Sequence, residues 1–300
     1  MDINAALRAF VRTVEKGSIT GAARDLAISQ PAVTKHLRNL ERHVNARLLE
    51  RSNRAIRPTA QGLALFETSR TALASIEAAM EAVRRDMGEI EGALRVFAPS
   101  CLGAQHLHRI VMEFQDEHPN VTVDFILDNR QVDLIYENFD LAVEYGKPVD
   151  RELIVRRIGI VKRVLVAAPS YLERTGPVDR VDRLSEVNII TTMTVLSQRD
   201  ILTLWKNGEV IEIPVRPSLR TNNAQVITRS LEDGRGVGPV QMSLVLEELA
   251  SGRLVRILPE YSVAPTEVFM TFPSTRFMRP VVRAFTDFVI PRLRNVEGIG

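Results

Sequence analysis

The sequence predicts a chain in two parts. A small, mainly helical winged helix-turn-helix head with a long helix behind it precedes a larger α/β body of two lobes. Three observations predict this. Residues 1–60 hold eleven Lys/Arg against five Asp/Glu, so the head carries +6 and the remaining 240 residues −4. The stretch GSITGAARDLAISQPAVTKHLRNL (17–40) contains two helix starts about ten residues apart, the second with a polar outer face. Beyond residue 92, short apolar runs alternate with helical patterns, the signature of α/β layering.

The head follows from spacing and caps. Leu7, Phe10, Val11 and Val14 recur at helical period, and Gly17 stops that helix. Ser18 caps a second helix that buries Ala22, Ala23 and Leu26. After a turn at Ala27–Ile28, Ser29 caps a third, with Pro31 in its first turn, where a missing N–H costs nothing. Val33, Leu37 and Leu40 form its inner stripe, leaving Gln30, Thr34, Lys35 and Arg38 outside. Such a helix fits the major groove of B-DNA, where amide, hydroxyl and ammonium groups read base edges. A plain three-helix bundle with a polar surface is the alternative. In RLLERSNRAIRPTAQG the turn formers Ser52 and Asn53 predict a hairpin wing, with Arg51, Arg54 and Arg57 placed for phosphates or the minor groove.

Thr59 is the expected cap of the long helix. Phe66, Ser69, Leu73, Ile76, Met80, Val83, Met87 and Ile90 are spaced alternately by three and four, a heptad seam broken only by Ser69. The strict period predicts dimerisation through Phe66, Leu73, Ile76, Met80, Val83 and Met87.

In the body, ALRVFAP (93–99), VTVDFIL (121–127), DLAVEYG (140–146) and RVLVAAP (163–169) read as strands, with helices at 104–117 and from SYLERTG. TEVFMTF (266–272) reads as a strand returning to the first lobe, and 277–293 as its closing helix. Two lobes joined by two crossovers leave a cleft for a small ligand. Ser100 and Cys101 open a helix there, strand 187–192 ends at Thr191–Thr192, Thr221–Asn222 opens another helix, and Gln241 follows the 236–239 loop. Free helix-start N–H groups at two of these points predict an anionic or polar metabolite held between Ser100 and Thr191/Asn222. A redox-sensing Cys101 is a minor alternative.

Other chemistry finds little footing. Cys101 and His108 lie about two helical turns apart and His106 and His108 point to different faces, so neither a nucleophile pair nor a shared metal site is expected. GRGVG (234–238) lacks the Gly-Lys-Ser/Thr ending of a phosphate loop and reads as a tight strand-entry turn; Trp205 and Asn207–Gly208 read as hairpin structure. No cofactor and no catalysis are expected. One cysteine, no apolar run of about 20 residues and no basic start before an apolar core predict a cytoplasmic protein away from membranes.

Taken together, GSIT-AA--L, SQPAV-KH-R-LE, LLERS and RPT--G closely resemble the winged helix-turn-helix of LysR-type transcriptional regulators. VDLIYENFDLAVEYG, the Pro169–Tyr171–Leu172 signature and the 236–239 loop extend the resemblance over the whole chain. Departures are mild: Thr34 for a common serine, Ala46 for glycine, Leu49 for phenylalanine and Glu144 for an arginine or neutral residue. The resemblance implies a periplasmic-binding-protein-like body and inducers, often small carboxylates, in the interlobe cleft, with Ser100 a frequent contact. It also implies a homodimer, as a dimer of dimers (homotetramer), on palindromic double-stranded DNA. Ser29, Gln30, Pro31, Thr34, Lys35, Arg38, Arg51 and Arg54 are the expected DNA contacts. The expected domains are 1–58 (head), 59–90 (linker helix) and 91–300 (effector-binding body), with one lobe at 91–162 plus 266–300 and the other at 163–265. A sequence-neutral DNA-packaging protein with an inert body is the alternative function.

Overall fold

The computed structural model describes residues 2–51, 56–85, 90–148, 153–273 and 278–300. In the head, helix α1 (Ile3–Lys16) starts under an Asp2 carboxylate that accepts from the Ala5 N–H at 3.0 Å and ends at Gly17. Helix α2 (Ile19–Asp25) is capped by Ser18, and α3 (Gln30–Val44) by Ser29, whose Oγ accepts from the Ala32 N–H at 3.3 Å. Ala27 turns the chain between them at a φ of 52°. Phe10, Ala22, Val33, Leu37 and Leu40 close the core where the periodicity puts them. Strands β1 (Leu49–Arg51) and β2 (Ile56–Pro58) pair antiparallel as the wing.

Helix α4 (Ala60–Arg85) begins under Thr59, whose Oγ1 accepts from the Gly62 N–H at 3.0 Å. A Cβ on Gly62 would sit 2.0 Å from the Leu48 carbonyl oxygen, so only glycine lets the helix start so close to the strand. The heptad seam divides here, which corrects the expectation that all of it faces a partner. Phe66 and Leu73 are buried in the same cluster as Phe10 and Leu37 of their own chain, because α1 lies against this half of α4. Ile90 packs on the body. Ile76 (43%) and Met80 (55%) stay exposed. The Val83 side chain and Met87 lie outside the described residues.

The body runs β3 (Gly92–Ala98), α5 (Ser100–Leu102), α6 (His108–Glu117), β4 (Val121–Leu127), β5 (Leu141–Tyr145), β6 (Leu153–Ala167) and α7 (Pro169–Thr175). Then come β7 (Asn188–Thr191), the β8 (Ile201–Lys206) and β9 (Glu209–Pro214) hairpin, β10 (Arg216–Arg220), α8 (Ala224–Glu232) and β11 (Val237–Gln241). The chain closes with α9 (Leu246–Ala250), β12 (Val255–Arg256), β13 (Ser262–Pro273) and α10 (Pro280–Arg294). The hairpin turns on Asn207 and Gly208, both at positive φ, as an Asn-Gly pair favours. The helix expected at 104–117 starts four residues earlier, and Gly103–Leu107 is a π turn joining α5 to α6.

The strands form one sheet in the order β10-β7-β11-β6-β13-β5-β3-β4. Pairings β3–β4, β3–β5, β7–β10 and β7–β11 are parallel, as alternating strands and helices predict. The long strands β6 and β13 instead run antiparallel to each other, from the Leu153–Pro273 pair to the Arg163–Val263 pair. They carry the chain out of one lobe and back, so they must oppose each other and fuse what would be two parallel sheets. One lobe closes around Phe114, Phe272 and Phe285 beneath α6 and α10; the other closes on two faces around Leu204 and Leu231.

Candidate DNA-reading face and interlobe cavity

Gln30, Pro31, Thr34, Lys35 and Arg38 share one outward face of α3 with Asn39 and Arg42. Ser29, engaged as the cap, stands at its start. The Thr34 hydroxyl donates to the Gln30 carbonyl at 3.0 Å, which leaves its lone pairs outward. Charge pairing separates this face from its surroundings. On α1, Arg12 pairs with Glu15 and Asp25, and Lys16 with Asp25 at 3.0 Å. Among the described residues no carboxylate pairs with Lys35 or Arg38. Arg51 lies on β1; Arg54 lies outside the described residues.

Between the lobes lies a cavity of about 650 Å³. Of the expected ligand contacts, Cys101, Thr192, Asn222 and Gln241 line it, while Ser100 and Thr191 do not. Two helix starts expected to be open are already capped, which corrects the anion site placed there. The Ser100 N–H donates to Asn129 Oδ1 at 3.1 Å. Helix α8 is capped by Asn223, not Asn222; the Asn223 Oδ1 accepts from the N–H groups of Gln225 and Val226. Thr191 is fully buried, and its hydroxyl has no hydrogen-bond partner among the described residues.

The floor joins Gln241 to two residues that the sequence did not single out, Tyr145 and Arg163. The Tyr145 hydroxyl donates to Gln241 Oε1 at 3.2 Å, and burial raises its pKa above the ordinary value. Arg163 donates to the Ala264 carbonyl at 2.9 Å and to Thr266 Oγ1. A charged residue opening the apolar run RVLVAAP was the available signal, since a strand that buried does not take arginine without a use for it. Cys101 Sγ lies 3.6 Å from Gln105 Oε1 and 3.9 Å from Gln241 Oε1, and burial pushes its thiol up to about 11. The group stays a thiol rather than a reactive thiolate. His106 lies against the Ser243 backbone, burial lowering its pKa, and no group of three metal-ligating residues occurs among the described residues.

Residues 128–140 join this cavity to the long helix. Asn129, Arg130 and Gln131 line the cavity. Asp133, Tyr136 and Asn138 face Leu63, Phe66 and Arg70 of α4 across a second crevice. The two ends are braced: Arg130 donates to both oxygens of Glu137, which lowers the Glu137 pKa. Arg130 also lies over the Phe97 ring, which meets Phe139 edge-on. Asp140 accepts from the Arg95 N–H at 2.8 Å and from Arg279 at 3.0 Å.

A winged helix-turn-helix head on a long helix, followed by a two-lobed body with a central cavity, defines a ligand-responsive DNA-binding protein. Residues 5–63 match the bacterial regulatory helix-turn-helix protein, lysR family, and residues 87–294 match the LysR substrate binding domain. The chain belongs to the LysR family of transcriptional regulators. It is 33% identical over 281 residues to the HTH-type transcriptional regulator PtxR of Pseudomonas aeruginosa, covering 94% of this chain and 90% of that one. It is 30% identical over 295 residues to an HTH-type transcriptional regulator of Xanthomonas campestris pv. campestris, covering 97% and 86%. The full-length structure of AphB, a Vibrio cholerae virulence activator, superposes with a TM-score of 0.61 at 25% identity, covering 96% of this chain and 98% of that one. Full-length LysG of Corynebacterium glutamicum with bound effector Arg gives 0.63 at 17% identity, covering 96% and 97%, and shares the fold. The chain is therefore a DNA-binding transcriptional regulator whose body is an effector domain.

Proposed function

We propose that the α3 face reads a palindromic operator. Gln30, Thr34 and Lys35 contact bases, Ser29 and Arg38 hold phosphates, and Arg51 and Arg54 of the wing bind the flanking backbone. The carrying observation is that α3 presents Lys35 and Arg38 with no carboxylate partner among the described residues, while the cations of α1 are paired. A polyanion supplies the missing counter-charge. Residues 1–58, 59–90 and 91–300 act as head, linker and effector body. Ile76 and Met80, with Val83 and Met87, form the seam of a homodimer, two of which assemble as a dimer of dimers. The exposed apolar pair on α4 supports this. The effector is a small molecule, a carboxylate in the simplest case, enclosed between the lobes. The protein works in the cytoplasm and as a regulator rather than an enzyme; no described helix is long and apolar enough to cross a membrane.

Competition between an operator selected from random DNA and unselected duplex, at fixed salt, tests the reading. Regulation requires a preference of at least about a thousandfold. Near-parity would favour a packaging protein.

A further inference from the structure

The cavity walls carry four charged side chains, Asp128, Arg130, Glu144 and Arg163. Three are spoken for. Arg130 is bonded to Glu137 and lies 3.3 Å from Asp128, and a Glu144 carboxylate oxygen accepts from the Thr271 hydroxyl at 2.7 Å. Arg163 differs. Its hydrogen bonds run from one nitrogen to neutral oxygens, those of Ala264 and Thr266, and among the described residues no carboxylate pairs with it. Burial lowers its pKa from the ordinary value, and the Tyr145 oxygen is the group opposing that shift. A guanidinium withdrawn from water and without a counter-ion is unfavourable unless something supplies one.

Its neighbours fit that task. Gln241 stands opposite Arg163 across the β6–β11 ladder, and the Tyr145 hydroxyl meets the Gln241 side chain. The rest of the wall is largely apolar, with Val143, Ile227, Val240 and Leu244 among it. Glu144 places a negative charge on the same wall, which opposes a second anionic group on the ligand.

We propose that Arg163 is the anchor for the ligand's charged group, and that this cavity takes a monoanionic acid with an apolar body rather than a dianion. The proposal rests on the reading that the cavity is the effector site. It moves the anion from the Ser100 helix start to Arg163 on β6, where the guanidinium fork holds a carboxylate through two parallel bonds.

The test is calorimetry and thermal unfolding of the full chain with three matched sets of probes. The monoacids are benzoate and hexanoate, their neutral amides benzamide and hexanamide, and the dianions phthalate and adipate. Wild type, Arg163→Met, Arg163→Lys and the cavity-filling Ala224→Trp are compared. A monoacid is expected to bind wild type, its amide and its dianion at least about tenfold more weakly. Arg163→Met is expected to abolish that preference, with Arg163→Lys retaining part of it because the charge stays while the fork is lost. Should Arg163→Met fail to fold, the Lys variant carries the comparison. Preference for amides or dianions, no binding of any monoacid, or a preference unchanged in both Arg163 variants overturns the proposal. Binding lost in Ala224→Trp but unchanged in the Arg163 variants overturns the anchor alone. Binding that survives Ala224→Trp overturns the cavity as the effector site.

Discussion

The Asn129 side-chain amide donates to the Asn222 carbonyl at 2.8 Å, joining the two lobes across the mouth of the cavity. The same amide's oxygen accepts from the Ser100 N–H, so one side chain caps a helix start in its own lobe and holds the facing lobe. Asn129→Ala removes both bonds. The expected outcome is faster amide hydrogen exchange at 221–224, with global stability falling by no more than about 1–3 kcal/mol for two exposed bonds. Exchange at 221–224 indistinguishable from wild type means the contact does not hold the lobes.

On the head, Lys35→Ala is expected to relax operator preference by roughly 1–3 kcal/mol through loss of a base contact. Arg54→Ala is expected to weaken binding to all duplexes alike and to lower the slope of affinity against salt. Affinities for operator and unselected DNA at several salt concentrations separate the two. If Lys35→Ala kept the preference and Arg54→Ala removed it, the roles would be exchanged.

The divided seam of α4 makes two different mutants. Ile76→Glu puts a charge on the exposed apolar stripe proposed as the dimer seam, and light scattering is expected to show a smaller assembly. Leu73→Ala, in the head's own core, is expected to keep the mass and lower stability by about 2–5 kcal/mol. An unchanged mass for Ile76→Glu excludes this stripe as the dimer contact.

Cys101 carries a pH prediction. Its thiol is pushed up to about 11 from the ordinary 9.0, so the folded state holds its proton longer than the unfolded chain does. This contribution to stability is fully present below the unfolded value and is lost as pH rises through about 9 to 11. At pH 8, alkylation by iodoacetamide is expected to be about a hundredfold slower in the native protein than in urea, following the thiolate fractions. Equal rates would mean the thiol is open and ionised.

Much of the head was legible because its determinants are local. Caps, a proline in the first turn and apolar residues three and four apart act within one helix, and Ser18, Ser29 and Thr59 sit where those rules put them. The heptad pattern misled for a related reason. A 3.5 period records that a face is buried, not by which chain, and α1 covers the half around Phe66 and Leu73. Most strands of the body were also readable from their apolar runs. Sequence reasoning missed the pieces that depend on distant partners. Nothing near Ser100 shows that Asn129 takes its N–H, and nothing near Asn222 shows that Asn223 is the cap instead. The cavity floor brings together Tyr145, Arg163 and Gln241 through the crossing strands, a meeting that no local pattern encodes.

The segment 128–140 lines the interlobe cavity at one end and faces the long helix across a crevice at the other, braced by the Arg130–Glu137 pair. Its two contacts cannot drift independently. If the cavity is the effector site, as proposed, a substitution at Asn129, Arg130 or Gln131 selected for a new inducer is expected also to alter how the body seats against α4, so a change of taste becomes a change of output. The opposite wall, residues 192–195, lines the interlobe cavity and is not among the residues lining the crevice beside α4. Reprogramming this regulator as a sensor is therefore best begun there, where recognition can be rewritten while the response to it is left in place.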